Sequence, residues 1–179
     1  WSFHVRNGAE QTGKFSCSNA LWNATDRGID WAVRSNLSHV LTDCPHREKN
    51  GWTGDAHLAA EQALWSFAPA GVYTKWIQDL DDEQRKADEP RGDGEPRRAG
   101  RPQKEGRPRK DGTAQEAERP KRWEGELPGI VPTSGWGYDW GNGPAWDSAF
   151  LLIPSYLHEY CGDVRILEGH YEGFRLYVD

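Results

Sequence analysis

Methionine is absent from the 179 residues, cysteine occurs only three times, and no apolar run reaches the length of a membrane span. Each absence excludes something. A chain that opens on Trp1, with neither methionine nor a secretory leader, reads as a piece of a longer protein. Cys17, Cys44 and Cys161 are too few and too scattered for a disulfide framework or a paired-cysteine metal site. No metal and no cofactor is therefore assigned, and the compartment, cytoplasmic or secreted, stays open. A mean hydropathy of -0.90 and the lack of a long apolar run give no reason to expect a membrane partner.

What is abundant is tryptophan, ten residues in a chain of 28% charged side chains. Indole faces in so polar a setting suit flat polar ligands, and the C–H faces of sugar rings fit that description. Charge is uneven. Between Arg85 and Arg122 there are 13 Lys/Arg against 8 Asp/Glu, leaving 9 against 20 for the rest. The body is thus acidic, which argues against a polyanionic substrate. The basic segment has four alanines as its only apolar residues, and a hexapeptide recurs in it, with prolines at Pro90, Pro96, Pro102 and Pro108 and glycines at Gly94, Gly100, Gly106 and Gly112. A segment that buries nothing and repeats every six residues reads as a disordered, duplicated insertion, or as a reading-frame error in the gene. Without interleaved aromatics it does not read as a nucleic-acid arm, and no nucleic-acid partner is expected.

Helical periodicity flanks the insertion. Residues 18–37 bring Leu21, Trp22, Thr25, Ile29 and Val33 to one face behind a Ser18 cap, and a second helix begins near Asp55 with Leu58, Ala59, Ala63, Leu64 and Phe67, ending by Pro69. Val72, Trp76, Ile77 and Leu80 mark a third, Trp146 through Tyr160 a fourth, and Ile166, Leu167, Tyr171, Phe174 and Tyr177 a fifth. FHVRN and GKFSC, before Ser18, look like the last strands of a preceding region. Successive amphipathic helices with short connections predict an all-α toroid or bundle.

Two loops at helix ends carry the chemistry. TDCPHREKNGWTGD, residues 42–55, holds three acids, two basic residues, a cysteine and a histidine; VPTSGWGYDWGNGPAWD, residues 131–147, holds Trp136, Tyr138, Asp139, Trp140, Trp146 and Asp147. Acids to protonate a leaving oxygen and activate water, with indoles to hold a ring, are what glycoside cleavage requires. The bland readings are a solvated loop for Glu48, simple helix capping for Asp55, a packed small hydrophobe for Cys44, and helix-surface or packing positions for His57 and His158. Asp43, Cys44 and His46 lack the distant second pair that a metal site needs.

The run from NLSHVLTDCPHREKNGWTGD through YTKWIQDLDDEQ, then GIVPTSGWGYDWGNGPAWDSA and YLHEYCGDVRILEGHYEGFRLYV, resembles the catalytic domain of the bacterial α-L-rhamnosidases, glycoside hydrolase family 78. The resemblance implies a partial (α/α)6 toroid of six-hairpin type, preceded by remnants of a β-domain, and hydrolysis of terminal α-L-rhamnosides with inversion. On it, residues 1–17 end a β-region, 18–84 begin the α/α domain, 85–124 are the insertion, and 125–179 continue the α/α domain to a truncation. Carried onto the motif, Glu48 is the general acid, Asp43 and Asp55 bind rhamnose, and Arg47 and Trp52 line the pocket. Trp140 and Trp146 fall in the sugar site. The implied partner is a rhamnose-containing glycoside or oligosaccharide. None of Glu126, Glu159, Glu168 or Glu172 matches the family's base, which is expected outside this chain. A fragment holding only the acid half would be inactive alone, and its rivals are a non-catalytic glycan-binding fragment or another α/α-toroid hydrolase or lyase.

Overall fold

Small side chains at helical spacing let two helices approach closely, and here they build the centre of the fold. The computed structural model describes residues 1, 6–86, 124–133, 136, 138 and 143–179. Six helices are present among them: α1 (Ala20–Asn36), α2 (Thr53–Ser66), α3 (Ala70–Glu83), α4 (Ala149–Cys161), α5 (Arg165–Gly169) and α6 (Tyr171–Val178). Ala56, Ala60 and Ala63 form the buried face of α2, which packs chiefly on α4, where Phe150, Ile153 and Leu157 are fully buried. Tyr73, Trp76, Ile77 and Leu80 bury the face of α3 that meets α4. Burial removes the Tyr73 hydroxyl from water and pushes its pKa up.

The stripe assigned to α3 lies inward throughout its last three positions, Trp76, Ile77 and Leu80. That of α1 does not. Only Val33 of its stripe is buried, while Leu21, Trp22 and Ile29 are exposed, together with Trp31 on the neighbouring face. The helix starts at Ala20 with Asn19, not Ser18, as its cap, because the Asn19 carboxamide oxygen accepts the Leu21 and Trp22 N–H groups. Leu58 of α2 is likewise exposed, since the alanine face and not the leucine face meets α4. The single helix expected over 166–177 is two, broken at His170, whose ring Nδ1 lies 3.1 Å from Asp81 Oδ2 and ties the break to α3.

Among the described residues, β-pairing is limited to three isolated bridges, Gln11 with Phe67, Leu37 with Leu41 and Trp52 with Ile130. The strand expected over GKFSC is not formed. The segment leading into it, residues 7–13, runs along the ends of two helices, where Leu37 and Ser66 carbonyls accept the Asn7, Thr12 and Gly13 N–H groups, because this satisfies carbonyls left over at helix C-termini. The other expected strand, FHVRN, lies mostly outside the described residues.

Residues 87–123, nearly all of the insertion, also lie outside the described set, but the two ends that flank them are joined. Arg85 N–H donates to Glu126 O at 3.1 Å and Gly125 N–H to Arg85 O at 2.8 Å. The Arg85 guanidinium pairs with Glu126 at 3.1 Å and lies 3.9 Å over the Tyr138 ring. Gly125 has φ 87°, and a Cβ there would fall 2.2 Å from Leu176 O, so only glycine fits this junction. With the ends held by their own backbone pairs, replacing residues 87–123 by a short Gly/Ser turn leaves stability unchanged or slightly higher, since loop closure costs only about 0.6 kcal/mol per doubling of length. Urea unfolding of the two forms checks this.

Candidate active site

Residues 42–55 form a loop closed on itself and then turned into α2. Asp43 and Asn50 clasp it from both sides: Asp43 N–H donates to Asn50 O at 3.0 Å, and Asn50 N–H donates to Asp43 Oδ1 at 2.9 Å. The turn between them passes through Lys49 at φ 57°, a conformation that costs a side-chain-bearing residue and is held here by the clasp. Glu48 N–H donates to Cys44 Sγ at 3.2 Å, so the thiol serves the loop as a hydrogen-bond acceptor.

Beyond the clasp the chain pairs with a partner far off in sequence. Val131 N–H donates to Gly51 O and Thr53 N–H to Gly129 O, each at 2.9 Å, on either side of the bridge between Trp52 and Ile130. The Thr53 hydroxyl adds a second bond to Gly129 O at 3.1 Å, and the buried Trp76 indole donates to Val131 O at 2.8 Å. A Cβ on Gly51 would stand 2.2 Å from Val131 O. This pairing carries the start of the second loop to the first, and the Trp136 ring lies 6.2 Å from that of Trp52 at 55°.

Trp146 closes the other side. Its indole packs on Gly54, where any Cβ would come within 2.9 Å of the ring, and His57 Nε2 lies 3.2 Å from Ala145 O in the same turn. Asp147 is buried, accepts Gly143 N–H at 2.7 Å, and accepts the Tyr177 hydroxyl from α6. Burial, reinforced by that carboxylate, pushes the Tyr177 pKa up. Asp147 is thus a structural acid that ties α6 to the turn presenting Trp146. Tyr138 serves the insertion junction, donating to Glu83 O, rather than the loop of Glu48.

The three acids of the first loop form one electrostatic group. Asp55 sits in the first turn of α2 with its carboxyl held above the ordinary 3.8, first by desolvation and then by the charges of Asp43 and Glu48, against a bond from its own N–H and the charge of His57. Its side chain remains exposed, so the effect is modest. Glu48 accepts the Trp52 indole N–H at Oε2, 2.9 Å, and lies 3.4 Å from Arg47 through Oε1. The Arg47 side chain is 75% exposed, at the rim of the loop. Trp140, like Asp139, lies outside the described residues. Glu126 is committed to Arg85 and Glu172 to Arg175. No group of three or more His, Cys, Asp or Glu side chains among the described residues is placed to share a metal ion.

The chain matches the bacterial alpha-L-rhamnosidase 6 hairpin glycosidase domain over residues 10–179. It belongs to that family. Among solved structures, an α-L-rhamnosidase from Dictyoglumus thermophilum is 33% identical with a TM-score of 0.73, over 97% of this chain and 15% of the other. The Streptomyces avermitilis α-L-rhamnosidase, solved with L-rhamnose, is 25% identical with a TM-score of 0.69, over 96% of this chain and 13% of the other. A curated α-L-rhamnosidase of Formosa agariphila is 38% identical over 76 residues, which is 42% of this chain and 8% of the relative. This chain therefore spans less than a sixth of the length of these rhamnosidases.

Two measurements test the geometry. Gly51→Ala forces the backbone pair with Val131 apart and costs about 1–3 kcal/mol in chemical denaturation, the usual penalty of overpacking. Asp55→Asn acts in the opposite sense. A carboxyl whose folded-state pKa is raised favours folding while protonated and loses that advantage as the pH climbs through the interval above 3.8. Asp55→Asn therefore melts slightly above wild type at neutral pH, and the two melting temperatures converge once the pH falls below 3.8.

Proposed function

We propose that this chain is part of an enzyme that removes terminal α-L-rhamnose from glycosides or polysaccharides with inversion, and that its helices form part of an (α/α)6 toroid. The observation that carries the reading is that Asp43 and Glu48 of one clasped loop act on Asp55 at the helix start that follows it, with the Trp52 indole bonded to Glu48 and the Trp146 indole packed on Gly54, in a chain of the rhamnosidase family. A relative solved with L-rhamnose supports the substrate class.

In this reading Glu48 protonates the glycosidic oxygen as the bond from that oxygen to the anomeric carbon breaks, and water attacks the carbon from the opposite face. Asp43 and Asp55 accept hydrogen bonds from ring hydroxyls. Asp55, at the positive end of α2, is fixed on a rigid element and not on the loop. Trp52 and Trp146 bound the sugar, and Arg47 reaches it from the rim; the motif also assigns Trp140 to the sugar, and that residue lies outside the described set. The base that activates water is assigned to no residue of this chain.

The test uses the full-length parent enzyme. Glu48→Gln lowers kcat by roughly 10²–10⁴ on rhamnosides with poor leaving groups and spares substrates whose leaving group needs no proton. Equal loss on both, or no loss on either, overturns the assignment.

A further inference from the structure

We infer that Trp52 is a positioning residue for Glu48, fixing the direction of its carboxyl and which oxygen carries the transferable proton; this rests on the reading of Glu48 as proton donor. The indole that the motif places in the pocket as a sugar surface is also committed through its nitrogen. Trp52 Nε1–H donates to Glu48 Oε2 at 2.9 Å across the turn that contains Lys49 and Gly51.

The two residues differ in how firmly they are held. Glu48 lies on an exposed loop with its side chain 36% exposed, and a glutamate there has three soft torsions to satisfy. Trp52 has no such freedom. Its backbone is bridged to Ile130 and flanked by the bonds of Gly51 to Val131 and Thr53 to Gly129, and its ring rests against Trp136. The donor direction is therefore set by residues on the far side of the insertion, and the carboxyl follows it. At the other end of the glutamate, Cys44 Sγ accepts the backbone N–H at 3.2 Å. Glu48 is held by its main chain on one side and by its carboxyl on the other.

Proton placement follows from the donor inventory. Indole nitrogen donates and cannot accept, so the oxygen facing it offers a lone pair and directs no proton toward the indole. In this proposal the bond at 2.9 Å to Oε2 favours the proton of the acid form on Oε1, the oxygen with the longer contact, 3.4 Å, to the exposed Arg47 guanidinium. Of the charged groups here, Arg47 lies beside Glu48, His46 and Lys49 share its loop, and Asp43, Glu48 and His57 each act on Asp55. None of them restricts the carboxyl rotation as a 2.9 Å directional bond does.

Trp52→Phe in the full-length enzyme separates the two roles, because phenylalanine keeps an aromatic face and lacks the N–H. Positioning predicts that kcat on poor leaving groups falls roughly 10- to 100-fold, the scale of a hydrogen bond to a charged group, while KM stays within about twofold and activated substrates are spared. A raised KM with kcat retained on both substrate classes makes Trp52 a sugar surface only and overturns the inference. Equal loss on both classes with a lowered melting temperature makes it a scaffold residue and overturns it too. Fluorine NMR of the fluorotryptophan-labelled enzyme decides the point without turnover: the Trp52 resonance, assigned by its loss in Trp52→Phe, shifts as Glu48 titrates and stays still in Glu48→Gln. A resonance that behaves alike in both proteins removes the bond and the inference with it. If wild type cleaves no rhamnoside, the proposed function fails, and the titration still answers for Trp52.

Discussion

A pairing three residues long, Gly51–Thr53 against Gly129–Val131, organises the rest of the molecule. It joins chain segments that the insertion separates and seats the second loop beside the first. It also fixes the first turn of α2, so that Asp55 projects from a helix whose start cannot slide. The pairing tolerates no side chain at Gly51, and the buried Trp76 indole locks it from beneath by donating to Val131 O. A backbone device of this kind gives precision where a polar loop alone would give mobility.

The same device sets up a conflict at the acids. Asp43 and Glu48 each repel the Asp55 carboxylate, which is partly desolvated though still exposed. Such crowding disfavours the folded, ionised chain, yet it is the arrangement that a ring of sugar hydroxyls can satisfy. Stability and ligand recognition pull in opposite directions at one residue, as is common where carboxylates are gathered for chemistry.

Much of this was legible in the sequence because local chemistry and spacing carry it. The stripe of Trp76, Ile77 and Leu80 reports burial correctly, and the loop residues Glu48, Trp52 and Asp55 are neighbours in sequence as in space. The stripe of Leu21, Trp22 and Ile29 misleads, since periodicity reveals an apolar face but not whether another element covers it. Nor does spacing reveal that Ala56, Ala60 and Ala63 outrank Leu58, because a close helix crossing selects small residues and leaves the larger one outside. The bridge from Trp52 to Ile130 and the bond from Tyr177 to Asp147 join residues with no shared period, and only the folded chain displays them. Gly51, between Asn50 and Trp52, gave one cue: glycine before an aromatic in a polar loop is where a backbone comes close.

The closed junction at Arg85, Gly125 and Glu126 has a meaning for how such a domain changes over time. Because the two flanks grip each other, whatever lies between them exerts little leverage on the paired segment that holds the acids. Slippage during replication could lengthen or shorten a tandem repeat at this point by whole hexapeptides, and selection acting on the acid loop would barely register it. The junction behaves as a port at which sequence can accumulate, drift or be exchanged while the chemistry of residues 42–55, upstream of it, stays under its own separate constraint.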